Sequence, residues 1–481
     1  MPQFYLKVKI HFILQVIGRI IGLIVGIFII RALMHYLSPF EYGCYSIALA
    51  YLQVFGIVAD FGLYLLTLDY LGQINKQENK KIREKQTLFF LNRMFTLRFF
   101  SALLFYGLSV LISLFFPWPI QVKLAIALLS LALFFSTLVQ MLSAYWQKEL
   151  KTQRIALGEV LGKIVIFVVL LFLISQKVGF YWIISVFIFG SFVNFLILFP
   201  FFGKKKIHFC FDWKFFKNIF QRAWPIGLAI TFNVLYFKAD TLILSFYYPA
   251  EVVGLYGAPY RILEVLIAIP PFFLGLIMPK VAECRAQNKK QEIVQHLQKS
   301  FDFLLMLSLP LIFATQVLGK RIMYFMGGEN YLVSGDILRI LIIAAGILFI
   351  GEMFKQLVIM FGQEKPVLKL YFITTAFALL GYFLFIPYFA YWGASIITLL
   401  SEFLMFILLL IFIKKQVGFF PNFYFFAKCL VSSLLMAIFL RLLYNLNIFV
   451  LIILGTIFYF FVLFILEKNL FHLFLNLRNK K

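Results

Sequence analysis

Sixteen Lys, Arg, Asp and Glu residues stand inside long apolar stretches of this sequence, and their chemistry is the first thing to explain. The bases are Arg19, Arg31, Arg93, Arg98, Lys163, Lys238, Arg261, Arg339, Lys355 and Arg441; the acids are Asp60, Glu159, Asp240, Glu264, Glu352 and Glu402. A charge in hydrocarbon costs at least about 2.5–3.5 kcal/mol, so each must meet a partner or a wet cavity. Glu159 and Lys163 are four residues apart, and Arg261/Glu264 and Glu352/Lys355 are three apart, which sets each pair side by side on a helix. Mutual neutralisation explains such pairs as readily as ligand binding does. Arg19, Arg93, Arg98 and Arg441 are expected to stretch toward a membrane surface, and Asp336 and Arg339 to pair near one. Arg31, Lys238 and Arg261 better suit recognition of an anion, with Lys163 and Lys355 as further cavity cations, because a guanidinium offers an oxyanion two parallel donors. Asp60 and Asp240 suit a coupling ion or charge pairing, as do Glu159, Glu264 and Glu352, and structural pairing is the simpler expectation.

The elements that must hold these charges follow from composition. Of 481 residues, 63% are hydrophobic and 13% charged, with a mean hydropathy of +0.97. No water-soluble core hides that much apolar side chain. At about 20 residues per span the length allows well over ten crossings and leaves little for a soluble catalytic domain. The net charge of +24 would suggest nucleic acid in a soluble chain. Here the basic residues flank apolar runs, so topology and anionic headgroups explain them better. Four scattered cysteines and five scattered histidines indicate neither a disulfide framework nor a metal site.

Hydropathy predicts fourteen helices, at about Phe12–Tyr36, Tyr42–Leu68, Leu88–Phe116, Ile120–Trp146, Ile155–Ile174, Phe180–Phe202, Ile219–Tyr247, Val252–Pro279, Ser300–Val317, Ser334–Phe361, Pro366–Pro387, Tyr391–Ile413, Phe423–Tyr444 and Ile448–Leu466. The first is expected to be retained rather than cleaved, since no small-residue cleavage site follows it. Alternate connections hold thirty basic residues on one side, from Lys7 and Lys9 to the Lys480–Lys481 end, against Lys123, Lys177, Lys320 and Arg321 on the other. Positive segments resist translocation, so both termini are expected in the cytoplasm. The connections 69–87, 203–218 and 280–299 could each hold one amphipathic helix lying on the headgroups, and solvated basic linkers are the simpler expectation. Gly43-x-Tyr45 and Gly254-x-Tyr256, 211 residues apart and each after a short turn with Pro39 or Pro249, suggest two six-helix halves of the same orientation. The fold class is an all-α polytopic membrane protein of about fourteen transmembrane helices, two six-helix bundles plus two C-terminal helices. The divisions are residues 1–203, a cytoplasmic linker 204–218, 219–415, and 416–481 with a basic tail.

Several short motifs carry a family likeness. They include Gly18-Arg-Ile-Ile-Gly22, Arg31-Ala-Leu, Leu37-Ser-Pro-Phe-Glu-Tyr-Gly-Cys-Tyr45, Asp60-Phe-Gly-Leu63, Ala223-Trp-Pro-Ile, Lys238-Ala-Asp-Thr-Leu242 and Tyr260-Arg-Ile. Ile269-Pro, Met278-Pro-Lys280, Phe325-Met-Gly-Gly328, Leu357–Gly362 and Tyr391-Trp-Gly-Ala-Ser395 continue it. Together they resemble the O-antigen-type oligosaccharide-lipid flippases of the multidrug/oligosaccharidyl-lipid/polysaccharide exporter superfamily. That resemblance implies two bundles around a cavity open alternately to each face, and movement of undecaprenyl-pyrophosphate-linked oligosaccharides to the outer leaflet for surface polysaccharide assembly. It implies a lipid-tail groove at Phe423–Leu466 like that of the lipid II flippases, and Arg31, Lys238 and Arg261, from their charge and position, are the residues expected to attract the pyrophosphate. The expected partners are the lipid-linked oligosaccharide, membrane lipids, a glycan polymerase and other assembly proteins, with no nucleic acid. The expected location is a bacterial or archaeal cytoplasmic membrane. No cofactor, metal or enzymatic activity is implied, and a proton or sodium ion is the expected coupling partner. A cation-coupled multidrug exporter and a lipid II-type flippase are the alternatives. A glycosyltransferase is disfavoured by the lack of a long outside loop or a D-x-D motif.

Overall fold

A computed structural model describes residues 2–75, 79–149, 151–199 and 208–467. Lys76, Lys204, Lys205, Lys206 and the tail with Lys468, Arg478, Lys480 and Lys481 lie outside them. The described chain is α-helical: α1 (Pro2–Tyr36), α2 (Pro39–Asp60), α3 (Leu63–Asn75), α4 (Lys80–Ser113), α5 (Ile120–Lys148), α6 (Thr152–Ser175), α7 (Phe180–Leu198), α8 (Trp213–Tyr247), α9 (Ala250–Ile267), α10 (Ile269–Ala286), α11 (Lys290–Gly327), α12 (Leu332–Met360), α13 (Glu364–Val417), α14 (Tyr424–Leu442) and α15 (Ile448–Leu466). Twelve stretches among the described residues are long and apolar enough to cross a membrane. In lipid the backbone has no water to bond, so the helix satisfies every N–H and C=O within the segment. Large apolar side chains stay exposed along these helices, among them Phe172 (61%), Leu380 (65%) and Ile453 (59%), as a lipid solvent permits and water does not. The chain is a multi-pass membrane protein.

The helices begin and break for local reasons. Ser38 caps α2 reciprocally: its hydroxyl accepts the Glu41 N–H at 3.3 Å, and the Glu41 carboxylate accepts the Ser38 N–H at 3.0 Å. The predicted second helix, Tyr42–Leu68, is in fact two. Phe61 and Gly62 take φ of 40° and 81°, left-handed backbone that ends α2 before α3 starts. The predicted eighth helix likewise divides at Ala268, next to Pro270 and Pro271, which bring no backbone donors. Conversely, the predicted eleventh and twelfth helices run together as α13, turning at Ala390 (φ 49°). Tyr382 bonds Thr398 at 3.0 Å and Thr374 meets Met405 at 3.5 Å, so the two limbs are antiparallel, as the short predicted turn requires. The connections expected as linkers are largely helical: 290–299 opens α11, and 80–87 opens α4. Polar residues do not end a helix when its propensity is good, so hydropathy marks the membrane core and not the helix ends.

Two compact units are present, Met1–Gly254 and Leu255–Lys481. The first includes α8 because α8 packs on α2. The repeat boundary at 204–218 concerns the helix count, and the compact unit ends later. Within the first unit the two repeat glycines meet: a Cβ on Gly43 would fall 1.7 Å from the Ala250 carbonyl oxygen, and one on Gly254 would fall 2.2 Å from that of Pro39. Only glycine allows this backbone contact. In the second unit α14 and α15 join the core rather than standing apart. Tyr459 donates to the Met306 carbonyl at 3.0 Å, and Cys429, Met436 and Leu440 are buried in one cluster with Phe301 and Leu305.

Candidate functional site

The break between α2 and α3 builds a site in the first unit. Asp60 is the last residue of α2, so its carboxylate faces the start of α3 and accepts the Tyr64 N–H at 3.3 Å. A broken span exposes polar backbone at membrane depth, which is tolerated only against protein or a wet cavity. Aromatic rings cover it here. Phe61 stacks on Phe220 with centroids 5.6 Å apart, and Gly227 lies so close that a Cβ would come within 2.6 Å of the Phe61 ring.

Arg98 completes the charge balance. Its Nη1 lies 2.7 Å from Asp60 Oδ1 and 3.2 Å from the Ala59 carbonyl oxygen, and its Nη2 donates to Gln140 Oε1 at 2.8 Å. The guanidinium is wholly buried, and its Nε has no hydrogen-bond partner. Arg98 is therefore no snorkelling residue, contrary to the sequence expectation. It stands fifteen residues from the end of α4, roughly 22 Å along the axis, too far for the side chain to reach that surface. Beside the pair lies a cleft of about 470 Å³ between α2, α4 and α5, lined by Asp60, Gln53, Tyr106, Ser136, Thr137 and Gln140 among others. Tyr106 and Thr137 hydroxyls are 3.2 Å apart, and the Ser101 hydroxyl donates to the Ala59 carbonyl at 3.2 Å. The arrangement is a mostly apolar cleft that carries a charge-balanced pair with hydroxyl and amide groups, within a lipid-exposed bundle. It can receive hydroxyl-rich or charged groups that the surrounding hydrocarbon excludes.

The other sequence candidates are placed as follows. Glu159 and Lys163 pair at 3.1 Å on α6 with side chains 43% and 30% exposed, next to Gly22 of α1. Arg31 is half-buried on α1. Lys238 and Asp240 are buried on α8, and Arg31 and Lys238 are engaged by neighbouring groups. Asp240 Oδ1 accepts the N–H and hydroxyl of Thr241 at 2.5 and 3.1 Å. In the second unit Arg261 is ion-paired with Glu264, as the spacing predicts. Lys355 feels the charges of both Glu402 and Glu352, and Gln356 donates to Glu352 at 3.1 Å. Arg93 does not snorkel freely either: its Nε binds Asp212 at 2.7 Å. The Asp212 carboxyl, also accepting the Phe215 N–H, is held below the usual carboxylate range, by that backbone bond first and Arg93 next. Trp118 and Trp146 are 5% exposed, and Trp146 donates to the Leu198 carbonyl at 2.7 Å. Sequence reasoning missed Gln140 and Arg98 as site residues. Polar Gln53 and Gln140 in the middle of apolar helices were the available signal.

The fold and this site define a multi-pass helical membrane protein with a buried ion pair beside a cleft in its first unit. The profile of the polysaccharide biosynthesis protein family matches residues 32–336, and the chain belongs to that family. The chain is 22% identical over 209 residues to a Shigella dysenteriae protein named "Putative O-antigen transporter", a match covering 43% of this chain and 51% of that protein. The chain thus spans about half the length of this relative. In fold it is similar to the lipid II flippase MurJ in an inward closed conformation, with a TM-score of 0.78 and 18% identity over 95% of this chain and 100% of the other. An inward-facing multidrug resistance MATE family transporter gives a TM-score of 0.66 and 13% identity over 83% of this chain and 98% of the other.

Proposed function

We propose that this protein moves undecaprenyl-pyrophosphate-linked oligosaccharides from the cytoplasmic to the outer leaflet of a cytoplasmic membrane, by alternating access, for surface polysaccharide assembly. The observation that carries the reading is the wholly buried Arg98 guanidinium at Asp60, beside a cleft with hydroxyl and amide groups in its lining, in a chain of a polysaccharide biosynthesis family. A sugar-phosphate head needs hydroxyl and amide partners and a positive charge within the bilayer, and its prenyl tail needs none. In this reading Arg31, Lys238 and Arg261 attract the pyrophosphate, with Lys163 and Lys355 adding to the field. A proton or sodium ion at Asp60 or Asp240 releases the neighbouring cation's charge to the substrate. Both termini lie in the cytoplasm, and a glycan polymerase takes the product. The protein itself forms and breaks no covalent bond.

The test is made in cells lacking the gene. Loss of surface glycan with accumulation of its prenyl-linked precursor on the cytoplasmic leaflet supports the proposal. Normal glycan with raised drug sensitivity favours the multidrug exporter, which fits the MATE-like fold but not the basic excess among intramembrane charges. A lipid II-type substrate is a second reading, favoured by the 0.78 TM-score to a lipid II flippase. Peptidoglycan precursor, rather than glycan precursor, would then accumulate.

A further inference from the structure

A second cavity, of about 540 Å³, lies where α3, α4 and α8 meet, and it shares no lining residue with the cleft at Asp60. One wall is aromatic. Tyr70 stacks on Phe90 with centroids 5.0 Å apart, Phe215 meets Phe90 edge-on at 5.8 Å, and Phe89 is 56% exposed. The rim is basic. Lys85 lines the cavity and forms no ion pair among the described residues, and Arg222 donates to the Tyr70 hydroxyl at 2.8 Å. Among the described residues no acidic side chain lines it. Nearby Asp69 is engaged by Gln73 and Asp212 by Arg93, while Glu84 precedes Lys85 on α4. The described residues of segments 69–93, 148–154 and 208–222, joined at this end by the Arg93–Asp212, Asn92–His208 and Lys148–Thr87 contacts, hold eleven Lys or Arg against four Asp or Glu. The apolar stretches Pro39–Ile74 and Lys81–Ser113 both end at the cavity, which sets it at headgroup depth.

We propose that this cavity binds an anionic phospholipid. Its phosphate diester sits against Lys85 and Arg222, and the first methylenes of an acyl chain lie along Phe89 and Phe90. The shared chemistry is a phosphate oxyanion. A free phosphate would leave the aromatic wall and most of the volume unused, whereas a cavity of this size suits an amphiphile. A zwitterionic lipid brings an ammonium group that the basic rim repels.

The experiment is native mass spectrometry of the full chain in mild detergent, titrated in parallel with phosphatidylglycerol, phosphatidylcholine and inorganic phosphate. Phosphatidylglycerol should be retained in preference to phosphatidylcholine. Lys85→Gln and Arg222→Gln should each weaken its retention about fivefold, since one basic side chain near an anionic surface contributes about that factor. Lys85 is exposed, so its substitution alone leaves the fold intact and keeps the test decisive if Arg222→Gln disturbs the Tyr70 wall. The paired change Lys414→Gln and Lys415→Gln, in the second unit, should leave retention unchanged. Equal retention of the two lipids, no effect of Lys85→Gln, or an equal effect of the Lys414/Lys415 control would overturn the proposal. Displacement of the lipid by millimolar inorganic phosphate would reassign the site to free phosphate.

Discussion

The Asp60–Arg98 pair illustrates what a buried charge demands. Arg98 is fully enclosed, and its neutralisation rests on a carboxylate that the α2–α3 break turns toward it. Removing one partner strands the other in a low-dielectric site, at about 3–5 kcal/mol. Removing both, with Met filling the arginine volume, avoids most of that cost. Asp60→Ala and Arg98→Met singly should therefore each destabilise more than the double variant does. Thermal unfolding in nanodiscs, read as a double-mutant cycle, checks this; additive losses would mean that the two side chains do not interact. The sequence marked Asp60 as a pairing or coupling residue but assigned Arg98 to a membrane surface. Residue type and helix position were legible. The partner was not, because it lies 38 positions away, beyond any helical spacing rule. The three i,i+3 and i,i+4 pairs show the reverse. Their geometry is local, and two of them, Glu159–Lys163 and Arg261–Glu264, form ion pairs as the spacing predicts.

At the level of elements, hydropathy located the apolar spans but missed what lies within and beyond them. The break at Phe61–Gly62 has a motif, Asp60-Phe-Gly, yet apolarity runs straight through it, so a hydropathy profile sees one helix. The repeat glycines were visible as a spacing, and their contact with the opposing backbone was not. That contact makes a sharp prediction. Gly43→Leu should prevent accumulation of folded protein, because its Cβ would overlap the Ala250 carbonyl. Gly26→Ala, where a Cβ meets no atom within 4 Å, should be neutral or stabilise α1 by up to about 1 kcal/mol. Expression and melting temperature of the purified variants decide between these outcomes. Asp212 anchors the entry to α8 through Arg93 and the Phe215 N–H. Its carboxyl is held below the ordinary range, so this anchoring is complete above that range and is lost as pH falls through the lowered value. Amide exchange at 213–216 should accelerate on acidification below the usual carboxylate range, and Asp212→Asn should remove that dependence. Exchange that ignores pH, after correction for intrinsic rates, would deny the anchor.

For the whole molecule, composition pointed to a membrane solvent and the apolar runs of about 20 residues to helices rather than barrel strands, so a polytopic helical protein was legible. The asymmetry of basic connections predicted the orientation, and the short repeat predicted two halves. α14 and α15 proved to be part of the second unit's core, bound through Tyr459 and Met306, which apolarity without partner information could not reveal. The functional account depends on a substrate head entering the bilayer's low-dielectric interior at sites of positive charge. The most direct measurement is reconstitution into vesicles with a fluorescent undecaprenyl-pyrophosphate oligosaccharide, following its appearance in the opposite leaflet with and without proton and sodium gradients. The account predicts protein-dependent translocation that Arg98→Gln greatly slows and Asp60→Asn uncouples from the gradient. Translocation no faster than in protein-free vesicles, under every gradient, would contradict it.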